Sequence, residues 1–164
     1  MLYANDLAEA LFSDIFRHPV RPANLARYVF LDPRARTFYR DWEKAASDTV
    51  AVLRAEAGRK PYDRGLSDLV GQLSTRSEEF RVRWDAHDVG FHRAATKQMH
   101  HPLVGDLTLA FEMLELPADP GLSVLTYSAE PGSQSEEASR DLERWSETRT
   151  KLSAARAVCR RQQV

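Results

Sequence analysis

Four of the five histidines lie between residues 87 and 101, a density that is typical of metal sites and catalytic centres. They are His87, His92, His100 and His101. Histidine is the commonest metal ligand, and its side chain titrates nearest to neutral pH. Either chemistry requires that the local secondary structure bring the imidazole rings together.

Strand geometry argues against a shared metal ion. We predict a strand from Phe91 to Val104, which places His92 and His100 roughly 26 Å apart, whereas zinc holds its nitrogen ligands at about 2.0 to 2.1 Å. His100 and His101 are adjacent and point to opposite faces. His87 ends a helix and can approach His92, but no cysteine or HExxH spacing accompanies them. We therefore expect no metal and no cofactor.

The chain carries no recognisable catalytic motif. It lacks the GxSxG, GxGxxG and P-loop patterns, and a Ser-His-Asp triad is seldom legible in a single sequence because it is defined by geometry. Acids and histidines are scattered along amphipathic helices, where they usually face solvent. Cys159 lies in a basic C-terminal tail, which is a poor place for a nucleophile. We expect no enzymatic activity.

Composition indicates one soluble domain. The 164 residues suffice for a real core, and 23 basic residues nearly balance 24 acidic ones, for a net charge of -1. A stand-alone nucleic-acid-binding module usually has a basic excess. A single cysteine excludes an internal disulfide and fits a reducing compartment. Without an apolar run of about 20 residues or a basic signal-peptide start, we expect no membrane association and a cytoplasmic location.

The first half of the chain is predicted to be helical. A first helix follows Asn5 or Asp6, and a short second helix has Pro22 in its first turn. The strongest signal is one long helix that begins at Asp32–Pro33 and ends at Gly58. Two further helices follow, one with a regular leucine stripe and one that opens at Ser77. Their apolar faces carry Leu66, Leu69, Val70 and Leu73, and then Phe80, Trp84 and His87.

The pattern changes after Gly90, where period-two alternation replaces helical spacing. The predicted strand 91–104 meets a tight hairpin turn at Gly105-Asp106, and "DLTLAFEML" and "LSVLTYSA" are the next two strands. This is a three-strand antiparallel meander over Phe91–Ala129. A C-terminal helix from Ser133 or Ser135 carries Leu142 and Trp145 on one side. Helices followed by a meander predict the α+β class.

Four stretches together resemble the C-terminal ligand-binding domain of MmyB-like transcription regulators, a family common in actinobacteria. Any one stretch would be weak, but four in order at family-like spacing, over roughly residues 3 to 138, are specific. They are "NLARYVFLDPRARTFYRDWE", "LVGQLSTRSEEFRVRWDAHDV", "KQMHHPLVGDLTL" and "LTYSAEPGSQS".

The resemblance implies a PAS-like fold, in which helices pack on one side of a small antiparallel sheet and enclose a ligand cavity. It also implies a regulator with an N-terminal helix-turn-helix domain of the Cro/repressor type. The chain opens where that fold would be completing its first strand pair, so we expect the first strand and the DNA-binding half to be missing. DNA would then be contacted only through that missing half. We expect a PAS-like domain over 1–138 and a helical extension over 139–164.

We expect the ligand cavity to lie between the Trp84 helix and the meander and to take an apolar or amphipathic small molecule. Such cavities are mostly apolar with a few placed polar groups. His87 is either a core histidine satisfied by the backbone or a polar anchor at the cavity mouth. The expected lining residues are Trp42, Phe80, Trp84, His87, Leu109 and Phe111, with Arg93 and Tyr127 as further candidates.

Three functions from different classes remain open at this point. The first is a sensor domain that binds a small molecule and biases a transcription regulator. The second is an interaction module that forms a homodimer and needs no ligand. The third is a small enzyme. A small molecule retained through gentle purification would favour the sensor, and a ligand-free dimer would favour the module.

Overall fold

A computed structural model of the chain describes residues 3–18, 20–86, 94–119 and 121–161, with side chains described as far as residue 148. Helices precede a three-strand antiparallel sheet, and a long helix follows it, so the predicted α+β class is confirmed. The elements are α1 (Asp6–Leu11), α2 (Ser13–Arg17), α3 (Leu25–Leu31), α4 (Ala35–Phe38), α5 (Trp42–Arg59), α6 (Arg64–Arg76), α7 (Glu78–Asp85), β1 (Ala94–His101), β2 (Gly105–Glu115), β3 (Ser123–Ala129) and α8 (Gln134–Arg161).

Side-chain caps define where most of the early helices begin. In each case an Asn, Asp or Ser oxygen accepts a hydrogen bond from the backbone N–H three residues further on, which satisfies a donor that the first helical turn leaves free. The capping residues of α1, α3, α5, α6 and α7 are Asn5, Asn24, Asp41, Asp63 and Ser77. Of the two predicted starts of the first helix, Asn5 or Asp6, the structure has Asn5 as the cap, and α7 opens at Ser77 as predicted. Pro22 precedes the cap of α3, so its predicted place in the first turn was wrong.

The long helix predicted from Asp32 to Gly58 is two helices, α4 and α5, and this prediction was wrong. Between them Tyr39 takes an extended conformation and forms an antiparallel bridge with Met99 of β1. The Arg40 N–H donates to the Gln98 carbonyl at 3.1 Å. Pairing with the sheet thus replaces helical hydrogen bonds at this point. Gly58 lies inside α5, which ends at Arg59.

The sheet order is β1-β2-β3, and both pairings are antiparallel. His101 pairs with Gly105, so the first hairpin turns at Pro102–Val104, and the turn predicted at Gly105-Asp106 was wrong. Gly105 has φ +76°, a left-handed conformation that suits the residue ending a three-residue hairpin loop. The part of the predicted first strand at 91–93 lies outside the described residues.

Helices cover one face of the sheet. The alternate residues Leu107, Leu109 and Phe111 of β2 are buried, whereas Thr108 and Ala110 between them are exposed. The largest core cluster joins this inner face to α1, α3, α4, α5 and α8, and it includes the predicted helix residue Leu142. A second cluster lies among α3, α5, α6 and α7. Its buried members are Ala26, Val50, Leu53, Leu69, Leu73 and Phe80.

Candidate ligand-binding site

The predicted lining residues fall into two groups. Trp42, Phe80 and Trp84 belong to the helical layer, on α5 and α7. Three others, Leu109, Phe111 and Tyr127, share the inner face of the sheet, because Leu109 and Phe111 alternate on β2 and Tyr127 pairs with Phe111. His87 and Arg93 lie outside the described residues.

The helical group is one continuous line of aromatic rings. Phe30 makes edge contacts with Trp42 at 6.1 Å and with Phe80 at 5.0 Å between ring centroids. Phe80 then stacks on Trp84 at 5.4 Å. Phe30 was not among the predicted residues. It stands in the run Tyr28–Leu31, where every residue is apolar, so helical periodicity does not tell which of them faces which neighbour.

Trp42 is fully engaged by the protein itself. Its indole N–H donates to the Val29 carbonyl at 3.0 Å. The Arg36 guanidinium lies 3.7 Å from the ring centroid and that of Arg83 lies 5.3 Å from it. Arg83 also pairs with Glu79 at 2.7 Å. Because its one polar group is used and its ring is covered by cations, Trp42 anchors α3, α4 and α7 to the start of α5.

Trp84 is different, since it is only half-buried and lies in the last turn of α7. The guanidinium carbon of Arg54 stands 5.2 Å from its ring centroid. The Nε atom of Arg54 is buried, and it has no hydrogen-bond partner in the part of the chain that the structure describes. A buried donor without a partner costs about 1 to 3 kcal/mol of folding free energy. A ligand acceptor that forms a hydrogen bond with this N–H would therefore gain binding free energy. Sequence reasoning missed Arg54, because an arginine on an amphipathic helix usually faces solvent.

The sheet group has aromatic neighbours on one side and a buried ion pair on the other. Tyr127 contacts both Phe111 and Phe12 at 5.3 Å between ring centroids, and burial raises the pKa of the Tyr127 hydroxyl. Lys97 Nζ lies 5.5 Å from the Phe111 centroid and 2.5 Å from an Asp48 carboxylate oxygen. Both members of this ion pair are largely buried, at 16% and 17% side-chain exposure. A charged link therefore crosses from α5 to the sheet beside Phe111.

Helix α5 connects the two groups, since Arg54 reaches Trp84 and Asp48 reaches Lys97. Aromatic and charged side chains of the two groups thus contact the same helix, between Asp48 and Arg54. This is the composition expected for a site that holds an amphipathic molecule. Residues 87–93, which join α7 to β1 in the sequence, lie outside the described residues. The cavity between α7 and the meander therefore stays a prediction.

The histidines at the first hairpin are held by hydrogen bonds that fix the fold. His101 is 1% exposed, its Nε2 lies 3.2 Å from the Ala10 carbonyl oxygen, and its Nδ1 accepts from the Leu103 N–H at 3.3 Å. The ring is therefore neutral with its proton on Nε2, and burial lowers its pKa. His100 Nδ1 lies 2.6 Å from Asp106 Oδ1. Among the described residues no three potential metal ligands cluster.

Two clefts occur elsewhere in the described part of the molecule. One, of about 10 Å³, is next to His101 and has room for little more than a water molecule. The other, of about 100 Å³, is open between the α2–α3 segment and α6. None of the predicted lining residues borders either cleft. No helix in the described segments is both long enough and apolar enough to cross a bilayer.

Comparison with known families gives a match over most of the chain. Residues 1–142 match the model of the MmyB-like transcription regulator ligand binding domain, which is most of the 164-residue chain. The match begins before α1 and ends in the first part of α8, at the buried Leu142. No curated protein shows a significant match. The chain belongs to the family of MmyB-like transcription regulator ligand-binding domains.

Proposed function

We propose that this domain senses an apolar or amphipathic small molecule and regulates transcription through a helix-turn-helix DNA-binding domain of the same regulator. The observation that carries the proposal is the pairing of the half-buried Trp84 ring with the unpartnered Nε–H of Arg54. Family membership supports a regulatory ligand-binding role and suggests a non-catalytic one. A role in transcription places the domain in the cytoplasm.

The two halves of the site suit two parts of one ligand. The half-buried Trp84 ring, stacked on the buried Phe80, offers apolar surface, and each Å² of apolar ligand area removed from water contributes about 25 cal/mol. The Arg54 Nε–H offers a hydrogen bond to a carbonyl or carboxylate oxygen. That bond is favourable because the unliganded protein leaves the donor buried and unsatisfied. His87 and Arg93 are proposed as further polar contacts at the same end of α7 and β1.

Native mass spectrometry of gently purified protein tests the proposal directly. We expect a retained small-molecule mass, or a thermal shift in a screen of fatty acids and aromatic metabolites. A ligand that binds only the folded state at a hundredfold excess over Kd adds about 2.7 kcal/mol of stability, which is a shift of several degrees. A ligand-free spectrum together with a screen that shifts nothing would exclude the sensor function.

Two substitutions of arginines on α5 locate the site. We expect Arg54→Gln to weaken ligand binding about tenfold, the loss of one hydrogen bond of about 1.4 kcal/mol. Arg59→Gln is the matched control, because Arg59 lies on the same helix but forms surface ion pairs with Glu56 and Glu115. Equal effects of the two substitutions would mean that charge alone, not contact with the ligand, sets the affinity.

His87→Gln separates the two roles proposed for His87, because it keeps polarity and similar bulk. If His87 anchors the ligand, we expect the affinity to fall about tenfold while the unliganded protein keeps its melting temperature. If His87 is a core residue, the melting temperature falls and the affinity of the folded fraction does not change. Isothermal calorimetry and thermal unfolding on the same samples give both readouts.

The 164 residues alone are expected to bind DNA weakly. Their net charge is -1, whereas non-specific binding to DNA depends on neutralisation of phosphates by Lys and Arg. A gel-shift titration in about 150 mM salt, where weak phosphate contacts are screened, measures this. Sequence-specific binding below micromolar concentration would show that the domain itself reads DNA.

A second candidate function, ligand-independent dimerisation, is favoured by one edge of the sheet, where no further strand pairs among the described residues. Strand β3 lies at that edge, and Ser123–Ala129 contains no charged residue that would oppose self-pairing. Several exposed large apolar side chains lie on or beside it, namely Leu114, Leu116, Leu122, Val124 and Leu125. If β3 pairs with a second copy, Val124→Lys should convert a dimer into a monomer in analytical ultracentrifugation. Val82→Lys, at an exposed position on α7, is the control.

A further inference from the structure

The open cleft of about 100 Å³ lies on a different part of the molecule from Trp84. The α2–α3 segment forms one side, and Gln72 and Arg76 of α6 form the other. An engineered cavity of about 150 Å³ in another protein holds one benzene molecule. By that measure the cleft has room for about three to six non-hydrogen atoms, so it suits a small metabolite, and a longer chain would extend out of its open side.

The charges at the cleft leave it cationic. Asp14 and Asp32 border it, but both already bind Arg34, at 2.6 Å in each case. Arg27 donates through Nε to Gln72 at 2.8 Å, and its terminal nitrogens have no partner among the described residues. Arg76 likewise has no acidic partner in the part of the chain that the structure describes. The lining residues and Arg34 together carry three guanidinium groups against two carboxylates, and Arg27 and Arg76 are the two that pair with neither carboxylate.

A neutral donor and an apolar wall complete the site. The Tyr28 hydroxyl has no hydrogen-bond partner among the described residues, and Tyr28 borders the cleft. Burial raises the pKa of Tyr28, so its hydroxyl stays protonated and can donate. Ile15 and Leu31 line the same space. Gln72 holds the Arg27 side chain in place, so part of the site is arranged before any ligand arrives.

We propose that this cleft is a second binding site, specific for a small carboxylate anion with a short aliphatic group. The carboxylate lies between the Arg27 and Arg76 guanidinium groups, which are suited to bind it through two parallel hydrogen bonds. The Tyr28 hydroxyl donates to the same carboxylate, and the aliphatic group packs against Ile15 and Leu31. The site is independent of the Trp84 site, and either one can exist without the other.

Propanoate and propanamide provide a matched pair of probes, because they share size and shape but only propanoate is charged. We expect propanoate to move the backbone amide signals of Asn24, Gln72 and Arg76 saturably in ¹H–¹⁵N spectra at constant ionic strength. A Kd of about 1 mM is reasonable for a ligand of this size. Propanamide should bind at least about tenfold more weakly, because it offers no charge to the two arginines.

Arg76→Gln tests the contact with little risk to folding, because Arg76 is exposed. We expect it to weaken propanoate binding at least about fivefold, since it removes a charge-assisted hydrogen bond. Arg64→Gln is the matched control, at an exposed position of the same helix and outside the cleft. The same spectra show that each variant remains folded.

Three results would overturn the proposal. They are the absence of saturable shifts at the cleft, equal affinity for propanamide, and equal losses from Arg76→Gln and Arg64→Gln. The first of these includes shifts confined to the Trp84 indole and its neighbours, which would place the anion at the sensor site. None of these outcomes depends on whether the Trp84 site binds its own ligand, so the two proposals can fail separately.

Discussion

The two ends of the helix-on-sheet layer differ in how completely their buried groups are satisfied. At the hairpin end, both ring nitrogens of His101 have backbone partners, and Met99 and Leu107 are almost fully buried. At the Trp84 end, the tryptophan is half-buried and the Arg54 Nε–H has no partner among the described residues. The hairpin end is a closed core, in which the apolar side chains are buried and the His101 nitrogens are hydrogen-bonded. The Trp84 end has accessible apolar surface and a hydrogen-bond donor without a partner. Both are features that a ligand-binding site requires.

Contacts between distant parts of the chain close the hairpin end. The Tyr39–Met99 bridge ties the α4–α5 junction to β1, and His101 ties the hairpin to α1. Arg40 and His100 both bind Asp106 on the surface of the same region. At the other end of the sheet, ion pairs link α5 to the strands, namely the largely buried Asp48–Lys97 pair and the surface Arg59–Glu115 pair. The difference shows that rich aromatic content alone does not identify a site, because both ends have it.

The largest contrast should come from truncating one large apolar side chain at each end. We expect Met99→Ala to destabilise the domain by about 2 to 5 kcal/mol, the usual cost of a cavity in a packed core. Trp84→Ala should cost only about 1 to 2 kcal/mol, because a half-buried ring removes less apolar area from water. Urea denaturation measures both. A Trp84→Ala cost equal to that of Met99→Ala would show that the Trp84 end is also a closed core.

The hairpin end should also be the acid-sensitive one, through His101. Its folded-state pKa lies below that of an unfolded histidine, about 6.5, because burial disfavours the imidazolium. Its contribution to stability is therefore complete above about pH 6.5 and is lost as the pH falls through the folded-state pKa. The slope from this one group is at most about 1.4 kcal/mol per pH unit.

Denaturation curves between pH 7.5 and 5, the range in which an ordinary histidine titrates, should show this slope and its cause. His101→Gln should flatten it, because it removes the buried imidazole whose charged form is disfavoured. An unchanged slope in His101→Gln would mean that another group controls the acid sensitivity.

The smallest effect concerns the cations over Trp42. We expect Arg36→Gln to cost about 0.5 to 1 kcal/mol, the range for a partly exposed cation–π contact, since the guanidinium lies 3.7 Å from the ring centroid. Arg81→Gln, which removes an exposed surface pair with Glu78, is the control. A neutral result for Arg36→Gln would show that the Val29 hydrogen bond, the Arg83 contact and ring packing hold Trp42 without Arg36.

Local sequence patterns predicted much of this fold, whereas features that depend on contacts between distant residues were missed. The caps at Asn5 and Ser77 and the alternation of β2 depend on neighbouring residues, so the sequence shows them directly. The break in the long helix depends on Tyr39 pairing with Met99, which lies far away in the chain. A helical pattern in the sequence does not show that a distant strand will pair with a residue inside it.

The candidate site was predictable only in part, for a similar reason. Aromatic residues at helical and strand spacing marked Phe80, Trp84 and Phe111 as residues that point inward. Arg54 could not be found in this way, because its importance comes from a missing partner, and only the folded arrangement shows that. The hairpin turn was misplaced because Gly105 satisfies two turn types, and register with His101 decides between them.

The three tryptophan indole N–H signals in a ¹H–¹⁵N spectrum test the central claim most directly. Titration with the strongest ligand from the screen should move the Trp84 signal saturably, and Trp84→Phe assigns that signal. The Trp42 signal should stay in place, because its N–H is held by the Val29 carbonyl, and so should that of Trp145 on α8. A ligand that binds and moves the Trp145 signal while leaving Trp84 unchanged would contradict the account.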